Sequence, residues 1–179
     1  KRMKSDNYEF ATKFKIPILE VVSGGNISIE AFTGSAISKL INSDNEIIKL
    51  NDFKGENGTL IMFICNHCPY VKAIIDDIVA DCKNLKEMDI KSLAICSNDP
   101  INYPDDSFEN MIKFAKNNDF SFPYLVDETQ EVAKKYGAVC TPDFFGYNKN
   151  LELQYRGRIR ELKDLKPVRA GQSDLYKAM

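Results

Sequence analysis

The chain has 179 residues, 44% of them hydrophobic and 28% charged, which is an ordinary balance for one globular domain. Its net charge of −2 argues against a general nucleic-acid binder. No apolar run approaches the length of a membrane span, and no apolar stretch follows the basic residues Lys1, Arg2 and Lys4 as it would in a signal peptide. We therefore expect a cytoplasmic protein that acts without nucleic acid or membrane, while a processed N-terminus stays open.

Five cysteines are the most informative part of the composition. An odd number cannot pair completely within the chain, and five are too few for a disulfide scaffold of this size. Free, reactive or metal-bound thiols in a reducing compartment are the better interpretation. Because His67 is the only histidine, a histidine-rich metal centre and any mechanism that needs two imidazoles are excluded.

The chain divides into an N-terminal extension, residues 1–35, and one domain, residues 36–179. Short apolar segments in the extension predict strands at 16–19 and 27–32, with Gly24 and Gly25 in the turn between them. A further strand is predicted at 46–50.

The strongest pattern begins with a continuous apolar run at 59–64, which is typical of a strand buried on both faces of a parallel sheet. Apolar residues then recur at helical spacing from 71 to 85, and Pro69 suits the first helical position because it has no N–H to satisfy. Cys65 and Cys68 therefore lie in the turn between a buried strand and the start of a helix.

The rest of the chain continues this alternation and ends in a β-hairpin. The predicted elements are a strand at 90–96, a helix from 108 capped by Asp106 or Ser107, a strand at 123–126, a helix at 129–136 closed by Gly137, strands at 143–147 and 151–155, and the beginning of a last helix at 173–179 that is cut short. Alternating strands and helices indicate a parallel sheet core, to which the hairpin adds an antiparallel edge.

The motif Cys65-Asn66-His67-Cys68 favours redox chemistry. Two intervening residues let the sulfurs approach bonding distance, and the N–H groups of a helix N-terminus favour a thiolate. The second cysteine can then resolve a mixed disulfide. His67, inside the motif, is expected to stabilise the thiolate further. The alternatives are a zinc site, although no second cysteine pair is present, and two inert thiols.

A second motif is Cys140-Thr141-Pro142, which follows a predicted helix and directly precedes a strand. The Thr141–Pro142 bond is a candidate cis peptide, and a proline there leaves the preceding backbone free to pair with an extended peptide. Local sequence alone favours the plainer interpretation, a proline at the entry of a strand.

Together the two motifs resemble the thioredoxin superfamily, and in particular its peroxiredoxin-like branch, the alkyl hydroperoxide reductase and thiol-specific antioxidant group. The segments that carry the resemblance are 63–72, 96–100, 136–145 and 155–158. It implies an α/β thioredoxin-like fold with a central mixed sheet flanked by helices, an N-terminal strand extension and a peroxiredoxin-like strand–helix insertion at 123–136. It also implies that the Thr141–Pro142 bond is cis and packs against the cysteine motif.

The sequence departs from two better-known patterns of the superfamily. It lacks the Trp-Cys-Gly-Pro-Cys motif of thioredoxin itself. It also lacks the hydroxyl of the peroxiredoxin signature Pro-x-x-x-Thr/Ser-x-x-Cys, because Cys65 stands at the Thr position when Cys68 is placed on the signature cysteine. Arg156, Arg158 or Arg160 could supply the arginine of a peroxide site, although a solvated basic face is the simpler interpretation.

We therefore predict a thiol–disulfide oxidoreductase that cycles Cys65 and Cys68 between dithiol and disulfide. His67 tunes the thiolate, Thr141 and Pro142 shape the substrate groove, and no metal or organic cofactor is required. By thioredoxin convention Cys65 attacks and Cys68 resolves, a preference weakened by the place of Cys68 beside the helix. Expected partners are a protein or small thiol or disulfide and a reductase system such as thioredoxin or glutathione.

The alternatives are a thiol peroxidase with Cys68 as the peroxidatic sulfur and Cys65 as the resolving sulfur, and a redox-sensing or metal-binding module. The remaining cysteines fit different roles. Cys140 is a candidate third redox thiol or a small residue at a strand start, whereas Cys82 and Cys96 fall in apolar patterns and are predicted in the core.

Overall fold

The computed structural model describes residues 40–41, 47–48 and 53–179. The extension predicted at 1–35, with its two strands, lies outside the described residues. Across the part that is described, no helix has the length and apolar character needed to cross a membrane.

Seven strands form one mixed sheet in the order β2-β1-β5-β4-β3-β6-β7, and a separate two-stranded ribbon pairs β8 with β9. The strands are β1 Leu40–Ile41, β2 Ile47–Ile48, β3 Gly58–Phe63, β4 Ile90–Cys96, β5 Tyr124–Val126, β6 Asp143–Asn148, β7 Leu153–Gly157, β8 Leu162–Lys163 and β9 Lys166–Pro167. The centre β5-β4-β3 is parallel, and β6 and β7 add the antiparallel edge. The predicted mixed sheet is thereby confirmed.

Strand β3 lies at the middle of two hydrophobic cores. All six of its residues are buried. Because successive side chains of a strand point to opposite faces, Leu60 and Met62 join one core while Ile61 and Phe63 join the other. The prediction of a strand buried on both faces is confirmed.

Within residues 53–179, five helices cover the two faces of the sheet. They are α1 Pro69–Ala73, α2 Ile75–Glu87, α3 Phe108–Asn117, α4 Glu131–Tyr136 and α5 Asp174–Ala178, and a 3₁₀ turn at Pro104–Asp106 precedes α3. Ile78 and Leu85 of α2 pack into the core of Leu60, while Val132 and Tyr136 of α4 pack into the core of Ile61. The sheet is therefore a layer between helices.

Most predicted elements are present, with three differences. The single helix predicted from Pro69 is interrupted at Ile74, which separates α1 from α2. Ser107 occupies the N-cap position of α3, but its side chain makes no capping hydrogen bond. The carboxylate of Asp106, the other predicted cap, binds the turn that holds the cysteines. The two-residue strands β1, β8 and β9 were not predicted.

The predicted closure of α4 and the predicted last helix are both observed. Gly137 follows α4 with φ 62°, a left-handed backbone conformation that suits glycine because it has no Cβ. Ser173 caps α5 by accepting a hydrogen bond from the N–H of Tyr176 at 2.8 Å.

Candidate active site

The two cysteines of the motif lie between β3 and α1, as predicted. Pro69 is the first residue of α1, and Cys68 is its N-cap. Cys65 is 1% and Cys68 8% exposed, so the pair lies just beneath the surface. The N–H of Ile64 donates to the carbonyl of Ile95 at 3.0 Å, which extends the pairing of β3 and β4 up to the residue before Cys65.

Asp106 shapes the turn from outside it. Its Oδ1 accepts the N–H of Asn66 at 2.7 Å and lies 3.4 Å from the N–H of His67. The amide of Asn66 donates in return to the carbonyl of Asp105 at 2.8 Å. Asp106 is 3% exposed, and these bonds are little screened by water. They tie the cysteine turn to the 3₁₀ turn that follows β4.

The ring of His67 is held on the same carboxylate. Its Nδ1 lies 2.6 Å from Oδ2 of Asp106, which also accepts the amide of Asn98 at 2.7 Å. The ring stacks on Tyr103, with 4.8 Å between centroids and 2° between planes. A third of the His67 side chain is exposed. That His67 tunes a thiolate stays a prediction, since the ring contacts described here are with Asp106 and Tyr103.

Thr141 and Pro142 close the other side of the pair. The peptide bond between them is cis, as the resemblance implied. The Thr141 hydroxyl lies 3.1 Å from the sulfur of Cys65, and the Thr141 carbonyl oxygen lies 3.3 Å from the sulfur of Cys68. The fold therefore brings the two sequence motifs, 73 to 76 residues apart, into direct contact.

The surroundings of the two sulfurs make them unequal. The pKa of Cys68 is lowered to about 5, chiefly by a hydrogen bond with the thiol of Cys65 and with smaller contributions from the N–H groups of Val71 and Tyr70 and from the Thr141 hydroxyl, against the opposing effect of burial. The pKa of Cys65 is raised above its ordinary value because its proton is held by Cys68 and because it is buried. The pair therefore shares one proton, which stays on Cys65, and Cys68 carries the charge.

This asymmetry differs from the sequence-based preference for Cys65 as the attacking sulfur. Because the thiolate is the nucleophile, the charged and more exposed Cys68 is favoured. The N–H groups of Val71 and Tyr70 and the Thr141 hydroxyl also favour the Cys68 thiolate, whereas burial opposes it.

The other three cysteines are poor nucleophiles at neutral pH. Burial raises the pKa of Cys82 to about 12 and those of Cys96 and Cys140 to about 11. Cys82 and Cys96 are 2% and 1% exposed, which confirms that they lie in the core. Cys140 is half-buried and close enough to Cys68 for a charge there to raise its own pKa. Its role as a third redox thiol stays a prediction.

The three arginines considered for a peroxide site bind carboxylates. Arg156 lies 3.0 Å from Asp143, Arg158 lies 3.2 Å from Asp174, and Arg160 lies 2.8 Å from Asp77. Their side chains are only 15%, 19% and 13% exposed, so the simpler interpretation of a solvated basic face is wrong, whereas an arginine of a peroxide site stays a prediction.

Asp106 is the site residue that the sequence analysis missed. Because it stands next to Ser107 just before an amphipathic helix, it was interpreted as a helix cap. The available signal was the polar segment after β4, which in a parallel sheet meets the segment after β3 at the same edge. Among the described residues, Cys65, His67 and Asp106 form a group whose metal-ligating atoms all lie within 4.8 Å of one another.

A mixed sheet with helices on both faces, a Cys-x-x-Cys turn before a helix and a facing cis-proline define a thioredoxin-like protein of the thiol-redox class. Residues 26–162 match the AhpC/TSA family, and the chain belongs to that family.

Solved structures share the fold. An uncharacterized conserved protein from Geobacillus kaustophilus is 42% identical, with a TM-score of 0.71 over 74% of this chain and 71% of that one. A hypothetical protein from Sinorhizobium meliloti 1021 is 34% identical, with a TM-score of 0.67 over 69% and 68% of the two chains. A secreted disulfide oxidoreductase from Mycobacterium tuberculosis, 12% identical with a TM-score of 0.54 over 65% and 81%, shares the fold.

Two curated relatives match over a short stretch. Leucine–tRNA ligases from Alkaliphilus oremlandii and Corynebacterium efficiens are 50% and 58% identical over 38 and 40 residues. These stretches are 21% and 22% of this chain but only 5% and 4% of the ligases. A stretch of that size is shorter than a typical domain.

Proposed function

We propose that the protein is a thiol–disulfide oxidoreductase in which Cys68 attacks and Cys65 resolves. The observation that carries the proposal is the place of the pair: Cys68 is the N-cap of α1, and the cis Thr141–Pro142 segment lies 3.1 Å from the sulfur of Cys65 and 3.3 Å from that of Cys68. In that place the pKa of Cys68 is lowered to about 5, chiefly by a hydrogen bond with Cys65. A thiolate formed at neutral pH beside a protonated partner is what disulfide exchange requires.

The exchange takes two steps. The Cys68 thiolate attacks one sulfur of a substrate disulfide, a mixed disulfide forms, and the other substrate sulfur leaves as a thiolate. Cys65 then loses its proton and attacks the sulfur of Cys68, which forms the Cys65–Cys68 disulfide and releases the second substrate thiolate. The substrate gains two electrons, the protein loses two, and the released thiolates take up protons. The reverse sequence oxidises a dithiol.

The surroundings of the pair support a protein or small thiol as substrate. Thr141 and Pro142 are half-buried and line the approach to the sulfurs. Val139 and Ile101, which are 52% and 87% exposed, add apolar surface on the segments that carry Thr141 and Asp106. We propose thioredoxin or glutathione as the reductase system and the cytoplasm as the compartment.

A thiol peroxidase is the second candidate, because the low pKa of Cys68 and the Cys68-Pro69 pair both suit a peroxidatic cysteine. Thr141 also brings a hydroxyl to the pair, 3.1 Å from Cys65, from another part of the chain. The carboxylate pairing of Arg156, Arg158 and Arg160 argues against this candidate.

The deciding experiment compares two reactions of the fully reduced protein: reduction of a small aromatic disulfide and consumption of hydrogen peroxide. We expect fast disulfide reduction, loss of all reaction in Cys68→Ser, and release of a single thiol followed by a trapped mixed disulfide in Cys65→Ser. Cys82→Ala, which removes a core thiol, is the matched control.

Peroxide consumption no faster than that of a free thiol is expected alongside. Fast peroxide consumption that Cys68→Ser abolishes would instead support the peroxidase. A Cys65–Cys68 pair that exchanges with neither the aromatic disulfide nor a glutathione buffer would contradict the oxidoreductase proposal.

A further inference from the structure

The group formed by Cys65, His67 and Asp106 also has the composition of a metal site. Its three ligand atoms lie within 4.8 Å of one another, and Cys65 and Asp106 are buried. Cys68 lies outside this group, but Thr141 contacts both sulfurs, with its hydroxyl 3.1 Å from Cys65 and its carbonyl oxygen 3.3 Å from Cys68, so Cys68 is near enough to supply a fourth ligand. We propose that the reduced protein binds one zinc(II) ion through Cys65, Cys68, His67 and Asp106.

The types of ligand in this set favour zinc. Two thiolates, one imidazole and one carboxylate are four ligands of the kinds that zinc takes in tetrahedral sites, and thiolates favour zinc over harder ions such as magnesium. With zinc–ligand distances of about 2.0 to 2.3 Å, ligand atoms of a tetrahedron stand about 3.2 to 3.8 Å apart. The ligand atoms of Cys65, His67 and Asp106, already within 4.8 Å of one another, reach those separations by movements of about 1 Å, and the Cys68 side chain turns to complete the tetrahedron.

The neighbours of the cluster hold its ligands in place without the metal. Asp106 keeps the bonds from Asn66 and Asn98, at 2.7 Å each, and Tyr103 fixes the plane of the His67 ring. Such supporting contacts orient metal ligands and raise affinity. Binding of the ion replaces one contact. Nδ1 of His67 and Oδ2 of Asp106, now 2.6 Å apart, separate from each other and both coordinate the ion.

The entry path is on the side of His67. Its side chain is 33% exposed, whereas that of Asp106 is fully buried, so an ion reaches the imidazole first and the carboxylate last. Binding of zinc does not depend on redox turnover. It does depend on the redox state, because formation of the Cys65–Cys68 disulfide removes two of the four ligands.

The competing explanation is that Asp106 and His67 only support the turn and that any metal binds the two thiols alone. The two explanations differ in the effect of losing a non-sulfur ligand. With four ligands, His67→Gln and Asp106→Asn each weaken zinc binding at least tenfold, whereas with two thiols neither substitution changes the affinity.

The test uses the reduced, metal-free protein under anaerobic conditions and titrates it with zinc(II) against a chromophoric chelator. We expect one zinc per chain in the reduced protein, none in the oxidised protein, and at least tenfold weaker binding in His67→Gln and Asp106→Asn. Cys82→Ala and Asp127→Asn, which change a thiol and a buried carboxylate outside the cluster, should match the unmodified chain. No stoichiometric binding, or unchanged affinity in both ligand variants, would overturn the proposal.

Cobalt(II) provides a measurement that needs no variant. The unmodified reduced chain should show the intense visible bands of a tetrahedral ion together with sulfur-to-cobalt charge transfer, and a weak octahedral spectrum would contradict the site. Both titrations omit any disulfide substrate, and disulfide reduction is assayed with a chelator present. Failure of the metal site is therefore distinguishable from failure of the oxidoreductase.

Discussion

Asp106 binds Nδ1 of His67 at 2.6 Å, although 39 residues separate the two in the chain. The same carboxylate accepts the N–H of Asn66, so one buried acid holds both residues between the cysteines. The turn is therefore fixed by a contact with the segment after β4 as well as by its own strand and helix, and the sulfurs are positioned before a substrate arrives.

This contact predicts that Asp106 stabilises the protein while its neighbour does not. Asp106→Ala leaves the N–H of Asn66 and the amide of Asn98 without their acceptor, and such losses cost about 1–3 kcal/mol in the free energy of unfolding. Asp105→Ala removes an exposed carboxylate one residue earlier and keeps the backbone carbonyl that Asn66 uses. Denaturant unfolding at neutral pH measures both variants, and equal stabilities would contradict this role of Asp106.

The limits of sequence analysis follow from the same contact. The sequence predicted two pairs of site residues, Cys65 with Cys68 and Thr141 with Pro142. Each pair forms a short motif whose flanking strand or helix is also visible in the sequence. Asp106 was assigned to a helix cap because its real partners, 39 and 40 residues away, are neighbours only once β3 and β4 pair side by side.

The fold shows the same division between local and long-range information. Strand β4 has the predicted bounds, since seven apolar-rich residues between turns form a strong local pattern. The ribbon of β8 and β9 was missed because the turn between them uses positive φ at Asp164 and Leu165, which have no glycine signal. Which cysteine attacks and which resolves depends on the direction of the hydrogen bond between the two sulfurs, and the spacing of the cysteines in the sequence does not encode that direction.

The lowered pKa of Cys68 predicts a simple pH profile. In the reduced protein its alkylation by iodoacetamide should rise through pH about 5 and level off by neutral pH, because the thiolate is then fully formed. Cys65→Ala removes the hydrogen bond that contributes most, and the midpoint should move up towards an ordinary thiol value. Peptide mapping identifies the alkylated residue.

The core thiols provide an internal control for this profile. Since burial raises the pKa of Cys82 and Cys96 to about 12 and about 11, neither should be labelled below neutral pH. Preferential labelling of Cys65, or an unshifted midpoint in Cys65→Ala, would contradict the assignment of the proton to Cys65 and of the thiolate to Cys68.

The ion pair of Arg156 with Asp143 predicts a pH-dependent stability. Asp143 is buried, which raises its pKa, while Arg156 at 3.0 Å opposes that shift. A raised folded-state pKa means that the protonated acid stabilises the fold and that this stability is lost as pH rises through that pKa. Arg156→Met raises the pKa further and leaves a buried charge unpaired, which costs about 3–5 kcal/mol at neutral pH.

The unfolding free energy of Arg156→Met is measured at pH 5 and at pH 7.5. The deficit should shrink towards the lower pH, where Asp143 accepts a proton. Arg169→Met is the comparison, because Arg169 is 72% exposed and its pair with Glu161 is worth under about 1 kcal/mol after screening by solvent. A deficit of the same size at both pH values would assign the loss to packing rather than to the charge of Asp143.

The Thr141 hydroxyl predicts a change confined to the second step of exchange. It lies 3.1 Å from Cys65 and lowers the pKa of that thiol, against the larger effects of Cys68 and of burial. Thr141→Val keeps the shape and removes the hydroxyl, so Cys65 gives up its proton less readily and the mixed disulfide on Cys68 persists longer. A neutral hydrogen bond of about 1 kcal/mol corresponds to a resolution step about fivefold slower.

Single turnover with a small aromatic disulfide separates the two steps, because one coloured thiol leaves when Cys68 attacks and the second leaves when Cys65 resolves. At neutral pH the first phase of Thr141→Val should match the unmodified protein, since Cys68 stays a thiolate, and only the second phase should slow. Thr141→Ser retains a hydroxyl and should restore the second phase. Equal slowing of both phases, or no rescue by serine, would mean that Thr141 acts through the shape of the groove rather than through its hydrogen bond to Cys65.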